Sequence, residues 1–468
     1  MSKKKTFVED IERTLYDIKN EDRPLYRTEE GLTEEIVRDI SEKKKDPAWM
    51  LEFRLHSLDV YNHTPMPAWG PDLSALDMDH IVTYVQPDAR MAGRWEDVPE
   101  DIRDTFDRLG IPEAEKTSLA GVGAQYDSEV VYHSVQESLR KKGVVYTDME
   151  TALREHEALV KEYFMKLVPP KDHKFVALHG AVWSGGSFVY VPAGVDVKIP
   201  LQSYFRLNAP GAGQFEHTLI IVEPGASLHF IEGCSAPKYN VTNLHAGCVE
   251  LYIKEGARLR YSTIENWSRN MMNLNTKRAL VEKDGIIEWV SGSFGSHVSM
   301  LYPASILHGE GARCEFTGVT FAGHGQHLDT GATVVHAAPH TSANISTRSI
   351  SKDGGVAVYR SAVKVAPGAD HARCSVSCES LMLDSESRAD TLPAMDIAGD
   401  EADIGHEAKI GRISDEAIFY LTSRGIREDE ARAMIVRGFV EPIAKALPLE
   451  YAVEMNNLIT IELEGTMG

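Results

Sequence analysis

Residues 372–410 carry two cysteines, Cys374 and Cys378, and close on His406 and Glu407. A soft thiolate, an imidazole and a carboxylate are the side chains that hold iron or zinc. Alternating patterns and turns lie between them, so the stretch reads as strands and not as a helix. On one strand Cys374, Val376, Cys378, Ser380 and Met382 share a face, which separates the two cysteines by roughly 13 Å at about 3.3 Å per residue. Two thiolates on one ion lie within roughly 4.6 Å of each other, given metal–sulfur bonds near 2.3 Å. A regular strand therefore leaves one of them as the functional thiol and the other as core. His406 points to the opposite strand face from Glu407 and reads as a supporting or structural residue. A plainer alternative is a sheet edge with two buried thiols and a solvated His-Glu pair. His324, His327, His336 and His340 offer a second candidate cluster, or ordinary satisfied histidines.

The totals narrow the chemistry. The chain has 468 residues, enough for two or three domains, and a formal net charge of −21. That charge disfavours nucleic acid or an anionic membrane surface as partner. No stretch approaches the roughly 20 apolar residues of a membrane span. The basic start MSKKKTFVEDIERTL turns acidic without a signal-length apolar run, which predicts a cytoplasmic protein. Five cysteines at irregular spacing, 234, 248, 314, 374 and 378, fit free thiols in a reducing compartment. The chain has no G-x-x-x-x-G-K-[ST] and no G-x-S-x-G. Gly121-Val122-Gly123-Ala124 is half a dinucleotide fingerprint without its third glycine.

The elements that would position these residues follow from punctuation and period. Leu32 to Lys45 and Pro47 to Val60 read as amphipathic helices, and Trp69 in the Pro-rich stretch after them as a packed residue. Short helices follow from Asp97 to Leu119, then a mixed stretch to Tyr146 and a helix from Thr147 to Leu167. From about Phe175 the chain turns rich in Gly and β-branched residues. Corner glycines recur at 194, 225, 256, 285, 311 and 368, with steps of 31, 31, 29, 26 and 57, the last close to two repeats. A near-constant period with a corner glycine marks a β-solenoid. An antiparallel sandwich of regular hairpins is the alternative. Helices return at Ser414, with Ser414 as N-cap, then Glu428 to Val436, then Pro442 to Thr460 with a break at Pro448.

Long stretches then add up to a resemblance: DPAWMLEFRL (46–55), GVGAQYDSEVVYH (121–133), AVWSGGSFVYVP (181–192), YFRLNAPGAGQFEHTLIIVEPGAS (204–227), IEGCSAP (231–237), ENWSRN (265–270), TKRA (276–279), GQHLDTGATVVHAAPHTSANI (325–345) and IGHEAKIGRISDEAIFYLTSRGI (404–426). Over nearly its whole length the chain resembles the SufB family, scaffold subunits of the SUF iron–sulfur cluster assembly system. The resemblance implies an α+β, mainly β fold: a right-handed parallel β-helix core (171–407) flanked by N-terminal (1–170) and C-terminal (408–468) helical regions.

It also implies roles. Cys234 matches the family's sulfur acceptor, and Cys378 the cysteine at the nascent cluster, with Glu407 as second ligand. Arg206, Asn208, Glu265, Trp267 and, by spacing, Lys283 match residues lining a sulfur path inside the β-helix. The family often has Gln where this chain has Glu265. Persulfide chemistry needs a thiolate, so Cys234 is expected to be partly exposed and near a positive charge, for which Lys238 is a candidate. The expected cargo is a transient iron–sulfur cluster, with a reduced flavin admitted at the level of the complex. Expected partners are the SufC ATPase at the C-terminal helices, SufD or a second copy at the β-helix edge, a cysteine desulfurase with its sulfur-relay protein, and apo-protein acceptors. The rival readings are a SufD-like sister subunit, a β-helix carbohydrate-active enzyme and a stable metalloprotein built on the histidines.

Overall fold

Residues in left-handed backbone, one per coil, set the architecture. Gly194, Gly225, Gly256, Asp284, Gly311, His340 and His371 all have φ between 53° and 71°. The first six each donate a backbone N–H to the corner of the next coil, from Gly194 to Pro224 O (2.9 Å) through to His340 to Asp370 O (2.8 Å). Glycine takes this conformation without strain, and Asp and His are among the residues that tolerate it. The glycine spacing placed a corner at Gly285 and a double step after Gly311. The structure puts the corner at Asp284 and fills the double step with His340. The rings of His340 and His371 stack at 4.9 Å because they occupy successive corners.

The computed structural model describes residues 17–109, 119–399 and 401–445, with 458, 459 and 463. Its core is a parallel β-solenoid with two facing sheets. The first sheet runs, in spatial order, through Asp403–Arg412, Arg373–Met382, Ser342–Ser351, Arg313–Ala322, Ile286–Gly295, Arg258–Trp267, Ser227–Ser235 and Leu201–Arg206. Gly121–Tyr126 joins it in parallel and Glu129–Val135 closes it antiparallel. The second sheet includes His217–Val222, Cys248–Ile253, Thr276–Val281, His327–His336, Val356–Val365 and Arg388–Ile397. Pairing between coils is parallel, which rules out the antiparallel sandwich. No coil can bury its inner face alone, so like positions stack. Phe230, Tyr261, Trp289 and Phe316 form one such column, with rings 5.8 Å and 5.5 Å apart at its first two steps.

Helices cover the start of the solenoid. Glu34–Lys44 and Ala48–His63 form where the sequence places them, the first capped by the Thr33 hydroxyl. The expected helix over 147–167 is instead a strand, Val145–Asp148, and two short helices, Met149–Glu155 and Glu157–Tyr163, broken at His156. The apolar run after Phe175 is first a helix, Lys174–Val182, with eight of its nine residues buried; β texture starts at Gly186. Arg54 anchors this layer, bonding Asp46 at 2.7 Å and Trp183 O at 2.9 Å with no solvent exposure. Trp69 is 52% exposed and not packed, although it rests on Tyr302 and Arg360. After the last strand, Ser414 caps Asp415–Thr422, and Glu428–Ala444 follows, longer than the expected helix ending at Val436. Residues 110–118 of the expected short helices, and Pro448, lie outside the described residues. Among the described residues, no helix is long and apolar enough to cross a membrane.

Candidate functional site

Strand alternation decides which side chains enter the solenoid. On Ser227–Ser235, Phe230, Glu232 and Cys234 point inward. On Arg258–Trp267, Tyr261, Thr263, Glu265 and Trp267 do. The register sets Cys234 beside Glu265 and Glu232 beside Thr263. Across the interior, Lys277 arrives on Thr276–Val281 of the second sheet, on the same face as Ala279 and Val281.

Lys277 Nζ lies 3.1 Å from Glu265, 3.3 Å from Glu232 and 3.2 Å from Thr263 Oγ1. Tyr261 donates to Glu232 at 2.5 Å and Asn273 donates to Glu265 at 2.6 Å. His245 extends the network, 2.5 Å from Glu216 and 2.7 Å from Asn273 Oδ1, with its ring 4.6 Å from Trp267. Burial alone would strip the charge from Lys277, but Glu232 and Glu265 outweigh it and hold the ammonium charged. The same balance raises His245, where burial is overcome by Glu216 and Glu265.

Cys234 is 1% exposed, not partly exposed as expected. Burial pushes its thiol well up, Glu232, Glu216 and Glu265 push it further, and Lys277 opposes them. The cation acting on this thiol is thus Lys277, not its neighbour in sequence Lys238, whose amide bonds Asp17. The thiol is protonated at rest, and any thiolate formed here rests on Lys277.

Two inward columns lead away from this cluster along the first sheet. One runs from Glu232 through Thr263, Ser291, Gly318 and Thr347 to Cys378. The other runs from Cys234 through Glu265, Ser293, Thr320 and Ser349 to Ser380. Hydroxyls on successive coils face each other, as at Ser349–Ser380 (2.7 Å). A narrow cavity lies along the far half, lined by Ser291, Ser293, Thr320, Thr347, Ser349 and Cys378 among others.

At the far end Cys378 Sγ lies 3.1 Å from His406 Nε2, and His406 Nδ1 lies 3.3 Å from Ser361 Oγ. Burial raises the Cys378 thiol to about 11, while Thr391 pulls it down, and burial lowers the His406 imidazole. A thiol against a neutral imidazole is a competent pair of soft-metal ligands. Cys374 lies inward four residues earlier, in the apolar column with Cys314, as the strand argument anticipates.

Several expectations need correction. The Glu407 side chain faces outward, 65% exposed and 3.0 Å from Lys409; only its backbone oxygen approaches Cys378, at 3.5 Å. His406 and Glu407 face opposite ways on their strand, and it is His406 that shares the face with Cys378. Lys283 stands past the end of its strand at a coil corner, 56% exposed beside Glu255. Arg206 is fully buried but on the outer face, where it bonds Ser235 Oγ and Ile18 O. Asn208 lies just past that strand, held by Asp127 and Asn20. Trp267 and Glu265 do line the interior. Sequence reasoning missed Glu232 and Lys277, although strand period two marks both: Glu232 is two before Cys234, and Lys277 is two before Ala279.

Comparisons with known proteins show the family. The model of the SUF system FeS cluster assembly SufBD core domain matches residues 205–439, and that of the SufBD protein N-terminal region matches residues 80–203. The iron–sulfur cluster assembly protein SufB of Bacillus subtilis is 50% identical over 98% of this chain and 99% of its own length. Iron–sulfur cluster assembly SufBD family proteins of Staphylococcus saprophyticus and Staphylococcus haemolyticus are 51% and 50% identical over the same shares.

Proposed function

The chain belongs to the SufBD family of iron–sulfur cluster assembly proteins, and from that premise we propose that it is a scaffold that takes sulfur at Cys234 and builds a transient cluster at Cys378. The observation that carries this reading is the pair of polar columns joining the two cysteines through the solenoid interior. Sulfur enters when the Cys234 thiolate attacks the terminal sulfur of a donor persulfide. The new S–S bond forms on Cys234 as the donor's S–S bond breaks, and the departing thiolate takes the proton that Cys234 gave up. No oxidant is consumed. Lys277 stabilises the attacking thiolate, and Glu232 and Glu265 hold Lys277 in place.

Iron is cargo here. One thiolate and one imidazole per chain make a weak set compared with the about four thiolates of a stable cluster, which suits a cluster that must leave. The last coil supports completion by a second subunit. Its two ten-residue strands, Arg388–Ile397 and Asp403–Arg412, are sheet edges with Leu392, Met395, Ile397 and Ile410 exposed. Open edges of this length pair with other edges, and SufD or a second copy of this chain fits them. A separate SufC ATPase docks on the C-terminal helices, where Phe419 is 73% exposed and Tyr420 57%. The desulfurase with its relay protein is the sulfur donor, a reduced flavin supplies electrons within the complex, and the scaffold acts without its own nucleotide chemistry. The test is anaerobic reconstitution with desulfurase, cysteine, a reduced flavin and ferrous iron. The Cys234→Ser protein is expected to gain no cluster from the desulfurase yet to gain one from inorganic sulfide; Cys378→Ser is expected to fail with both. A Cys378→Ser protein that assembles a normal cluster overturns the reading.

A further inference from the structure

A second group of metal-ligating side chains lies on the outer face of the second sheet, away from the columns. The parallel register sets Cys248 directly beside His217 on the next coil. The buried helix Lys174–Val182 brings His179 onto the pair. His179, His217 and Cys248 each offer one ligand atom, and these atoms lie within 4.8 Å of one another. All three residues are at most 1% exposed, packed among Phe164, Trp183 and Leu219.

One imidazole is hydrogen-bonded from behind, and the other faces a carboxylate. His179 Nδ1 lies 2.9 Å from Ala246 O, a pure acceptor, so Nδ1 carries the proton and Nε2 is bare. His217 Nδ1 lies 3.0 Å from that bare nitrogen. The other nitrogen of His217, Nε2, lies 3.3 Å from Glu250 Oε2 but off hydrogen-bond alignment. Glu250 accepts backbone N–H groups from Met165 (2.5 Å), Leu167 (2.7 Å) and Val168 (2.8 Å), which favour its carboxylate form, while burial raises the carboxyl to about 7. With Glu250 ionised, a neutral His217 cannot serve both neighbours. A proton on Nδ1 leaves Nε2 bare against the carboxylate; a proton on Nε2 leaves two bare nitrogens face to face. A cation between the rings removes the conflict, and a carboxylate behind a ligating histidine is the usual outer partner of such a ring.

We propose that His179 Nε2, His217 Nδ1 and Cys248 Sγ bind one borderline-soft divalent ion of the zinc class, tying the N-terminal helical layer to the solenoid. Two nitrogens and one sulfur suit that class. Binding releases the Cys248 proton. The dication, the Cys248 thiolate and the Glu250 carboxylate then sum to zero charge, as a site this deeply buried requires.

The probe is Co2+, titrated anaerobically into the chelator-treated full chain carrying Cys234→Ser and Cys378→Ser, which removes the sulfur and cluster thiols. One equivalent is expected to bind, with tetrahedral cobalt bands and a thiolate-to-cobalt charge-transfer band, and with a rise in Tm. Adding Cys248→Ser is expected to abolish the charge-transfer band, and adding His179→Asn to weaken cobalt binding at least tenfold. No band in the Cys234→Ser/Cys378→Ser protein overturns the site, whatever the fate of the further variants. A band unchanged by both further variants overturns it too. The outcome is independent of the sulfur chemistry, because both of those thiols are absent.

Discussion

Glu232 and Cys378 occupy one inward column of the first sheet, five register steps apart. At about 4.8 Å between neighbouring strands the column spans roughly 24 Å. Glu232 is also bonded to the ammonium that governs Cys234. One end of the column therefore belongs to the sulfur-accepting cluster and the other is the proposed assembly thiol. A solenoid interior is ordinarily apolar. Here hydroxyls and a buried ion network interrupt it along the line between two cysteines.

The ion network has a stability cost when broken. Lys277→Met leaves Glu232 and Glu265 buried without their cation and is expected to destabilise the fold by about 3–5 kcal/mol. Adding Glu232→Gln and Glu265→Gln to that variant is expected to recover a large part of the loss. Denaturant midpoints of the three proteins check this; a Lys277→Met midpoint equal to wild type contradicts the network.

His336 makes acid a specific threat. It is fully buried, and burial lowers its imidazole to about 4. A depressed histidine contributes stability that is present above the unfolded pKa near 6.5 and lost as pH falls through about 4. The shift corresponds to roughly 3 kcal/mol. His336→Gln, which can keep a bond to Thr341, is expected to flatten the fall in unfolding midpoint between pH 6.5 and 4. An unchanged pH slope contradicts the assignment.

Cys378 and its neighbours make a prediction about roles. His406 shares the inward face with Cys378 and Glu407 does not. His406→Ala is expected to cut the iron retained after reconstitution several-fold, while Glu407→Gln changes it little. The reverse ranking, read by metal and sulfide analysis, contradicts the geometry. Alkylation of Cys378 is expected to quicken about tenfold per pH unit up to about pH 11, since the thiolate is the reacting form.

Much of this was legible in the sequence, and the exceptions have physical causes. The glycine period announced a solenoid because most corners need left-handed backbone. It hid the coil at His340 because histidine adopts that backbone too. The family resemblance singled out Cys234 and Cys378, but their partners required parity. Spacing from the family motif pointed to Lys283, while alternation with Ala279 and Val281 places Lys277 inside. Arg206 matched a path residue of the family, yet it is one residue after Phe205, which faces the interior, and so points out. The metal-competent trio at His179, His217 and Cys248 spans a helix and two coils, and no sequence spacing announces it.

The central claim is that sulfur passes between the two cysteines through the interior. The direct test interrupts both columns with apolar side chains without emptying them, with Ser291→Val, Ser293→Val and Thr347→Val in one protein. Sulfur is supplied as labelled persulfide by a desulfurase, and label on Cys234 and on Cys378 is counted separately by mass spectrometry. The account predicts wild-type loading of Cys234 and at least a tenfold loss of label at Cys378. Label arriving at Cys378 at the wild-type rate would contradict it.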